Sequence, residues 1–106
     1  MAVRQLFGRV EGSSGTLYHA STLLHDYETL TVTREQSGTY RINFDNVFSQ
    51  EPAVAAQVIS AYQTANAMIY TYNDPAMTRI VTGFSDQAAG EYVDVDFYFT
   101  ITGEGF

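Results

Sequence analysis

Hydrophobic and polar residues alternate most regularly near the C-terminal end of the chain, between residues 92 and 101. The positions predicted to face the core are Val93, Val95, Phe97, Phe99 and Ile101. The positions predicted to face outward are Tyr92, Asp94, Asp96, Tyr98 and Thr100. A period of two residues is that of a β-strand with one buried face, whereas a helix would scatter the two sets around its axis. The pattern therefore predicts a strand over 92–101.

A second alternating region surrounds a short turn in the first half of the chain. In residues 29–34, threonines alternate with Leu30, Val32 and Arg34. In residues 40–45, Tyr40, Ile42 and Phe44 alternate with the polar residues Arg41, Asn43 and Asp45. The tripeptide at 36–38, which ends in glycine, separates the two runs. Two alternating runs joined by a short glycine-containing loop are typical of a β-hairpin.

The stretch from Pro52 to Ile69 is ambiguous. Val54, Val58, Tyr62 and Ala65 have a spacing that suits a helix, with the proline in its first turn. The same stretch alternates at 54, 56 and 58, which suits a strand entered from an edge proline. Periodicity alone leaves both strand and helix open for residues 53–69.

The remaining pattern predicts further short strands separated by turns. A Gly-Ser-Ser-Gly turn occupies 12–15, residues 77–84 form another candidate strand, and 85–90 is a polar loop. With 106 residues there is room for one core. We predict an all-β fold: a single antiparallel β-sandwich domain over 1–106, jelly-roll-like, with about seven to eight strands.

Charge narrows the classes of partner. Twelve acidic residues face five basic ones, for a formal net charge of −7. The basic residues are all arginines, scattered along the chain at Arg4, Arg9, Arg34, Arg41 and Arg79. A phosphate backbone requires clustered basic residues, so we expect no nucleic-acid partner, and anionic membrane surfaces are equally poor candidates.

The chain also lacks the segments that lead to or through a membrane. No stretch approaches the ~20 apolar residues of a membrane-spanning helix, and the N-terminal residues show no signal-peptide core. Without cysteine, disulfides and cysteine-ligated metals are excluded. If the protein acts outside a cell, we expect it to leave by lysis, by a dedicated export machine or in a phage particle.

Asp94 and Asp96 are the most chemically suggestive pair. At i and i+2 on one strand face, their side chains would lie roughly 6–7 Å apart. Such a pair could bind Ca²⁺ together with loop oxygens, or act as the acid and base of a glycosidase. A solvated strand face is the favoured interpretation, calcium is a weaker alternative, and no other cofactor is indicated.

No other motif indicates catalysis. His19 and His25 have neither strand nor helix spacing for a shared metal, which favours a loop or surface role. No nucleophile elbow surrounds Ser21 or Ser60, and no glycine-rich phosphate loop occurs. We therefore predict that the protein is not an enzyme.

Tyrosines beside carboxylates are the stronger signal. Tyr92 and Tyr98 share the outward face of the final strand with the two aspartates. A tyrosine ring can stack on a pyranose while carboxylates accept bonds from its hydroxyls. Tyrosine is equally enriched at subunit interfaces, and a plain surface is a third interpretation.

The segment GTYRINFDNVFSQEPAV at 38–54 resembles a spaced pattern in small trimeric β-sandwich modules. These are the H-type lectin domains, the C1q-like heads and domains at the tips of bacterial and phage tail fibres. LTVTREQSG before it, RIVTGF at 79–84 and VDVDFYFTITGEGF at 93–106 resemble the corresponding strands, so the likeness spans most of the chain from Leu30 onward.

The resemblance implies that Pro52 begins a strand, that the protein is a homotrimer and that ligands bind near subunit boundaries. The H-type lectins carry a Trp and a basic residue before the final strand, whereas this chain has no Trp and no Lys. The candidate ligand-binding residues are Tyr92, Asp94, Asp96, Tyr98 and Arg79.

Two functions are compatible with these observations. The first is a lectin-like fibre-tip head, part of a virion or extracellular after assembly, that recognises a cell-surface glycan or receptor. The second is a structural assembly or capping module of a phage or other extracellular fibre, with no sugar ligand and with a fibre or virion protein as its partner.

Overall fold

The structure is a computed structural model that describes residues 3–22, 25–59, 65–70, 74–84 and 92–106. Eight strands and no helix occur among these residues. In chain order the strands are β1 (Val3–Val10), β2 (Leu17–Tyr18), β3 (Thr31–Gln36), β4 (Thr39–Asn43), β5 (Ala53–Val58), β6 (Ala65–Tyr70), β7 (Met77–Phe84) and β8 (Phe97–Glu104). The predicted all-β class is therefore confirmed, and so is the predicted turn between β1 and β2.

The strands form two four-stranded antiparallel sheets. The first sheet has the order β2-β1-β8-β5, and the second has the order β3-β4-β7-β6. β1 and β8 pair along their whole length, from Val3 opposite Glu104 to Val10 opposite Phe97. The predicted hairpin is β3–β4, with Gly38 in its turn at φ +67°.

The inner faces of the two sheets share one hydrophobic core, as expected for a β-sandwich. Its buried members are Leu6, Val10, Tyr40, Ile42, Phe44, Val47, Phe48, Ile80, Phe97, Phe99 and Ile101. The rings of Tyr40 and Phe97 join the sheets, with centroids 5.0 Å apart. The aromatic positions predicted for the core from alternation in β4 and β8 are all buried.

The ambiguous stretch at 53–69 forms strands over 53–58 and 65–69, and its described residues contain no helix. β5 pairs with β8, and β6 pairs with β7 at the edge of the other sheet. The alternating residues Val54, Ala56 and Val58 pack against the core. Residues 60–64 lie outside the described residues, as does the predicted polar loop at 85–90.

The prediction for the final strand was wrong at its beginning. β8 starts at Phe97, whereas Tyr92 makes one isolated bridge to Gly83 of the second sheet. The segment at 92–96 crosses between the sheets: the Val93 amide donates to the Thr82 carbonyl, and the Asp96 carbonyl accepts from Ile59 near the end of β5. The backbone there is not part of a continuous ladder, and of the two valines predicted for the core, Val95 is buried whereas Val93 is 37% exposed.

Candidate functional site

Asp94 lies at one end of the sandwich, where the crossing segment meets the β3–β4 hairpin. Its carboxylate accepts hydrogen bonds from Arg34 (2.8 Å from the Nη2 atom), from the Gly38 amide (2.7 Å) and from the Tyr40 hydroxyl (3.0 Å). The Tyr40 hydroxyl also donates to the Gly12 carbonyl at 2.7 Å. These bonds tie β1, the hairpin and the crossing segment together, so Asp94 is a structural junction.

The junction also determines the protonation states of its members. Partial burial pushes the pKa of Asp94 upward, but hydrogen bonds from Arg34, the Gly38 amide and Tyr40 outweigh that effect and leave it below its ordinary value. Burial raises the pKa of Tyr40, and the bond to Asp94 raises it further. At neutral pH the Asp94 carboxylate is charged and the Tyr40 hydroxyl keeps its proton.

Asp96 belongs to a different group, on the outer side of the first sheet. One of its oxygens accepts from the Gly12 amide at 2.7 Å, and the other lies 3.5 Å from Nη2 of Arg9. The Arg9 guanidinium carbon lies 5.8 Å from the ring centroid of Tyr98. This distance is within the range of a cation–π contact, so Arg9 links the carboxylate to the ring.

Strand register explains how Arg9 reaches both neighbours. Arg9 is opposite Tyr98 on β8 and opposite Tyr18 on β2, so the three side chains form one row across the outer face of the sheet. Gln57 of β5 continues the row beyond Tyr98. Tyr98 is 50% exposed.

Glu11 lies at the end of this row. It accepts hydrogen bonds from Ser14 at 2.9 Å and from the Tyr18 hydroxyl at 3.0 Å. The bond from Ser14, followed by that from Tyr18, lowers the pKa of Glu11, and the same carboxylate raises the pKa of Tyr18. A fixed negative charge and several hydroxyl groups thus border the row.

An open depression of about 270 Å³ adjoins Tyr98 on the same face. Its lining residues are Ala55, Ala56, Gln57, Tyr98, Phe99 and Thr100. Ala55, an outward residue of β5 there, has a small side chain, so a flat molecule could approach the sheet beside the tyrosine ring. We call the row Tyr18–Arg9–Tyr98–Gln57, together with Asp96 and this depression, the tyrosine site.

The five candidate ligand-binding residues lie in different places. Asp96 and Tyr98 meet at the tyrosine site, whereas Asp94 turns into the junction. Tyr92, half-buried, bridges to the second sheet. Arg79 lies on the outer face of the second sheet, where its Nε is 2.6 Å from Glu35.

The residue that sequence reasoning missed is Arg9. The alternation of Leu6 and Val10 with outward residues could have placed Arg9 on an outer face. Only the pairing of β1 with β8, which are almost ninety residues apart in sequence, places it beside Tyr98.

The histidines lie on the surface, as predicted. His19 and His25 are both exposed outside the strands, and His25 stacks on Tyr27 with ring centroids 5.0 Å apart. Among the described residues no three His, Cys, Asp or Glu side chains are grouped so that they could hold a metal ion. Calcium binding by Asp94 and Asp96 stays a prediction.

The same described part of the chain contains no helix long and apolar enough to cross a membrane. No family model, curated protein or solved structure matches this chain. The functional argument therefore depends on the geometry of the site.

Proposed function

We propose that this protein is a non-enzymatic binding module: a lectin-like head of a homotrimeric fibre, on a virion or outside a cell, that recognises a cell-surface glycan or receptor through the tyrosine site. The observation that carries the proposal is the half-exposed Tyr98 ring, which lies between the Arg9–Asp96 pair and an open depression. An exposed aromatic ring beside groups that donate and accept hydrogen bonds is a combination that sugar-binding surfaces use.

The groups at this site match the two kinds of surface on a sugar. The Tyr98 ring offers an apolar face for the C–H groups of a pyranose. The Arg9 guanidinium donates hydrogen bonds and Asp96 accepts them, so the hydroxyl groups at the rim of the ring could be bonded in either direction. A flat, solvent-exposed site of this kind binds one sugar weakly, and three copies in a trimer would compensate through multivalency.

The arrangement of the carboxylates supports a binding role over a catalytic one. Asp94 is engaged by Arg34 and a backbone amide, which keeps it ionised at neutral pH and unable to act as a general acid. Asp96 accepts from the Gly12 amide. Both therefore act as fixed acceptors.

A glycan array, read together with the oligomeric state from analytical ultracentrifugation, tests the proposal. We expect a trimer with at least one glycan hit. With that glycan, Tyr98→Ala should weaken binding by about five- to thirtyfold, because each stacked ring contributes on the order of 1–2 kcal/mol beyond a smaller contact. Tyr27→Ala is the matched control: Tyr27 is 61% exposed but does not belong to the tyrosine site.

Two results would count against the proposal. Full binding of the glycan by Tyr98→Ala would show that the ligand does not bind at the tyrosine site. A trimer without any hit on the array that instead forms a tight complex with a virion or fibre protein would contradict the glycan reading.

The outer face of the first sheet also favours the second candidate, an assembly module. The outward positions of its four strands carry only two charged side chains, Arg9 and Glu104, and the carboxylates of Glu11 and Asp96 lie at one end of this face. Val3 is 72% exposed and Phe7 is 48% exposed on this face. Depletion of charge and exposed apolar residues are properties of subunit interfaces.

Phe7→Glu distinguishes the two candidates. If the face is an assembly surface, this substitution should dissociate the oligomer in sedimentation experiments, because it buries a charge. If the tyrosine site binds a glycan at a free surface, Phe7→Glu should leave both the oligomeric state and glycan binding unchanged, whereas Tyr98→Ala removes binding alone.

A further inference from the structure

The outer face of the second sheet carries a second feature that the tyrosine site does not use. Arg41 of β4 lies directly opposite Arg79 of β7, and Thr33 of β3 is opposite Arg41 on the other side. Side chains directly opposite each other in an antiparallel pair have Cβ atoms about 5 Å apart. Two arginines therefore leave the sheet from neighbouring positions in a protein that is otherwise strongly acidic.

Placing like charges opposite each other destabilises a sheet unless a counter-charge is present. Glu35, at the bulge in β3, supplies one: its carboxylate lies 2.6 Å from Nε and 3.1 Å from Nη2 of Arg79. Among the described residues, Arg41 has no carboxylate partner. The positive charge of Arg41 is therefore not neutralised by any carboxylate of the described residues.

Arg41 is also oriented. Its Nε donates to Oδ1 of Asn43 at 3.0 Å, which leaves the terminal nitrogens without a hydrogen bond to the described residues. A planar fork held in this way is suited to two parallel hydrogen bonds to an oxyanion.

The surroundings of the pair are polar but uncharged. Thr31, Thr33 and Asn43 occupy neighbouring outward positions on β3 and β4, and their hydroxyl and amide groups can donate and accept hydrogen bonds. Apart from Glu35, the described outward positions of β3, β4 and β7 carry no carboxylate. The patch thus combines a fixed cation with groups that suit a polyhydroxylated molecule.

We propose that this patch, formed by Arg41, Arg79 and Thr33, is a second ligand site that binds the oxyanion of an acidic sugar, as a carboxylate or a sulfate ester. The occupant has to satisfy both a cation and the neighbouring hydroxyl and amide groups, and a sugar that carries one negative charge does so. The site is on the opposite side of the sandwich from the tyrosine site and does not depend on it.

Nuclear magnetic resonance titration of the full chain tests the proposal. The probes are galacturonate and galactose 6-sulfate at 0.15 M salt, with galactose as the neutral control. We expect the acidic sugars to shift amide signals of β4 and β7 with millimolar affinity, and galactose to leave them unchanged.

Charge-matched variants make the test specific. Arg41→Gln should weaken the acidic sugars by at least fivefold, whereas Gln5→Glu, which makes the same charge change on the other sheet, should not. Glu35→Gln should strengthen binding two- to fivefold, because it removes a negative charge that repels the oxyanion. Glu51→Gln, an exposed control for that charge change, should have no comparable effect.

Several outcomes would overturn the proposal. Equal shifts of the amide signals with galactose would show that the patch does not distinguish a charged sugar from a neutral one. Equal affinity for inorganic sulfate would show that the patch binds an adventitious ion only. A changed sedimentation coefficient in folded Arg41→Gln would assign the patch to contact between copies. The two proposals can fail separately. If acidic sugars do not bind the patch, but Tyr98→Ala abolishes binding of a neutral glycan that Arg41→Gln still binds, the proposed function stands and the acidic-sugar site does not.

Discussion

Asp94→Ala is the most informative perturbation of the fold. The carboxylate accepts from the Arg34 guanidinium, the Gly38 amide and the Tyr40 hydroxyl at distances between 2.7 and 3.2 Å. Its removal leaves the Gly38 amide without its acceptor and Arg34 without its counter-charge. Tyr40 retains one acceptor, the Gly12 carbonyl.

The magnitude follows from the number and burial of these bonds. A hydrogen bond to a charged group contributes roughly 1.5–3 kcal/mol, and breaking a fully buried ion pair costs about 3–5 kcal/mol. The Asp94 side chain is 25% exposed, so water can partly replace the lost acceptor. We therefore expect the free energy of unfolding to fall by about 3 kcal/mol, and the melting temperature by about 12–20 °C for a domain of this size.

Urea unfolding followed by circular dichroism measures this change, with thermal unfolding as a second readout. Asp96→Ala is the matched control two residues away. Asp96 accepts one short bond, from the Gly12 amide, and its ion pair with Arg9 is long and exposed, so we expect a loss of about 1 kcal/mol. A loss below about 1 kcal/mol for Asp94→Ala, or equal losses for both variants, would show that the hydrogen bonds of Asp94 do not hold the crossing segment in place.

Three further predictions concern the same end of the sandwich. Tyr40→Phe keeps the ring but removes both hydrogen bonds of the hydroxyl. We expect the variant to fold and its free energy of unfolding, measured in urea, to fall by about 1–3 kcal/mol. Gly12→Ala would place a Cβ 2.6 Å from the Val95 backbone nitrogen, so we expect a loss of about 2–3 kcal/mol in the same assay, against less than about 0.5 kcal/mol for the exposed neighbour Ser13→Ala. The lowered pKa of Asp94 contributes stability that is complete above the ordinary carboxyl value of 3.8 and is lost as the pH falls through the lower pKa of the folded state. The difference in unfolding free energy between wild type and Asp94→Ala should therefore become smaller below about pH 4. A difference that grows with acid would contradict the lowered pKa.

Much of the sandwich could be predicted from local patterns. The β3–β4 hairpin follows from the alternation at Tyr40 and Ile42 and from the glycine turn, because side-chain period and turn chemistry are properties of adjacent residues. The same holds for the buried face of β8 at Phe97, Phe99 and Ile101. Alternation predicted one strand from residue 92 to 101, but it could not distinguish a paired strand from a segment that crosses between sheets at 92–96.

The candidate sites depended on tertiary structure. Asp94 and Asp96 look equivalent in sequence, yet one is held by the hairpin and the other by the turn after β1. The difference arises from partners more than fifty residues away, whose positions no local pattern contains.

The strand alternation that first marked this chain therefore determined by itself an all-β domain and most of its core. Which outward residues meet was decided only by the register between distant strands. β1 against β8 placed Arg9 beside Tyr98, and β4 against β7 placed Arg41 beside Arg79. Periodicity is encoded by neighbours in sequence, whereas register is determined by the packing of the whole core, since a shift of one residue would turn every buried side chain outward.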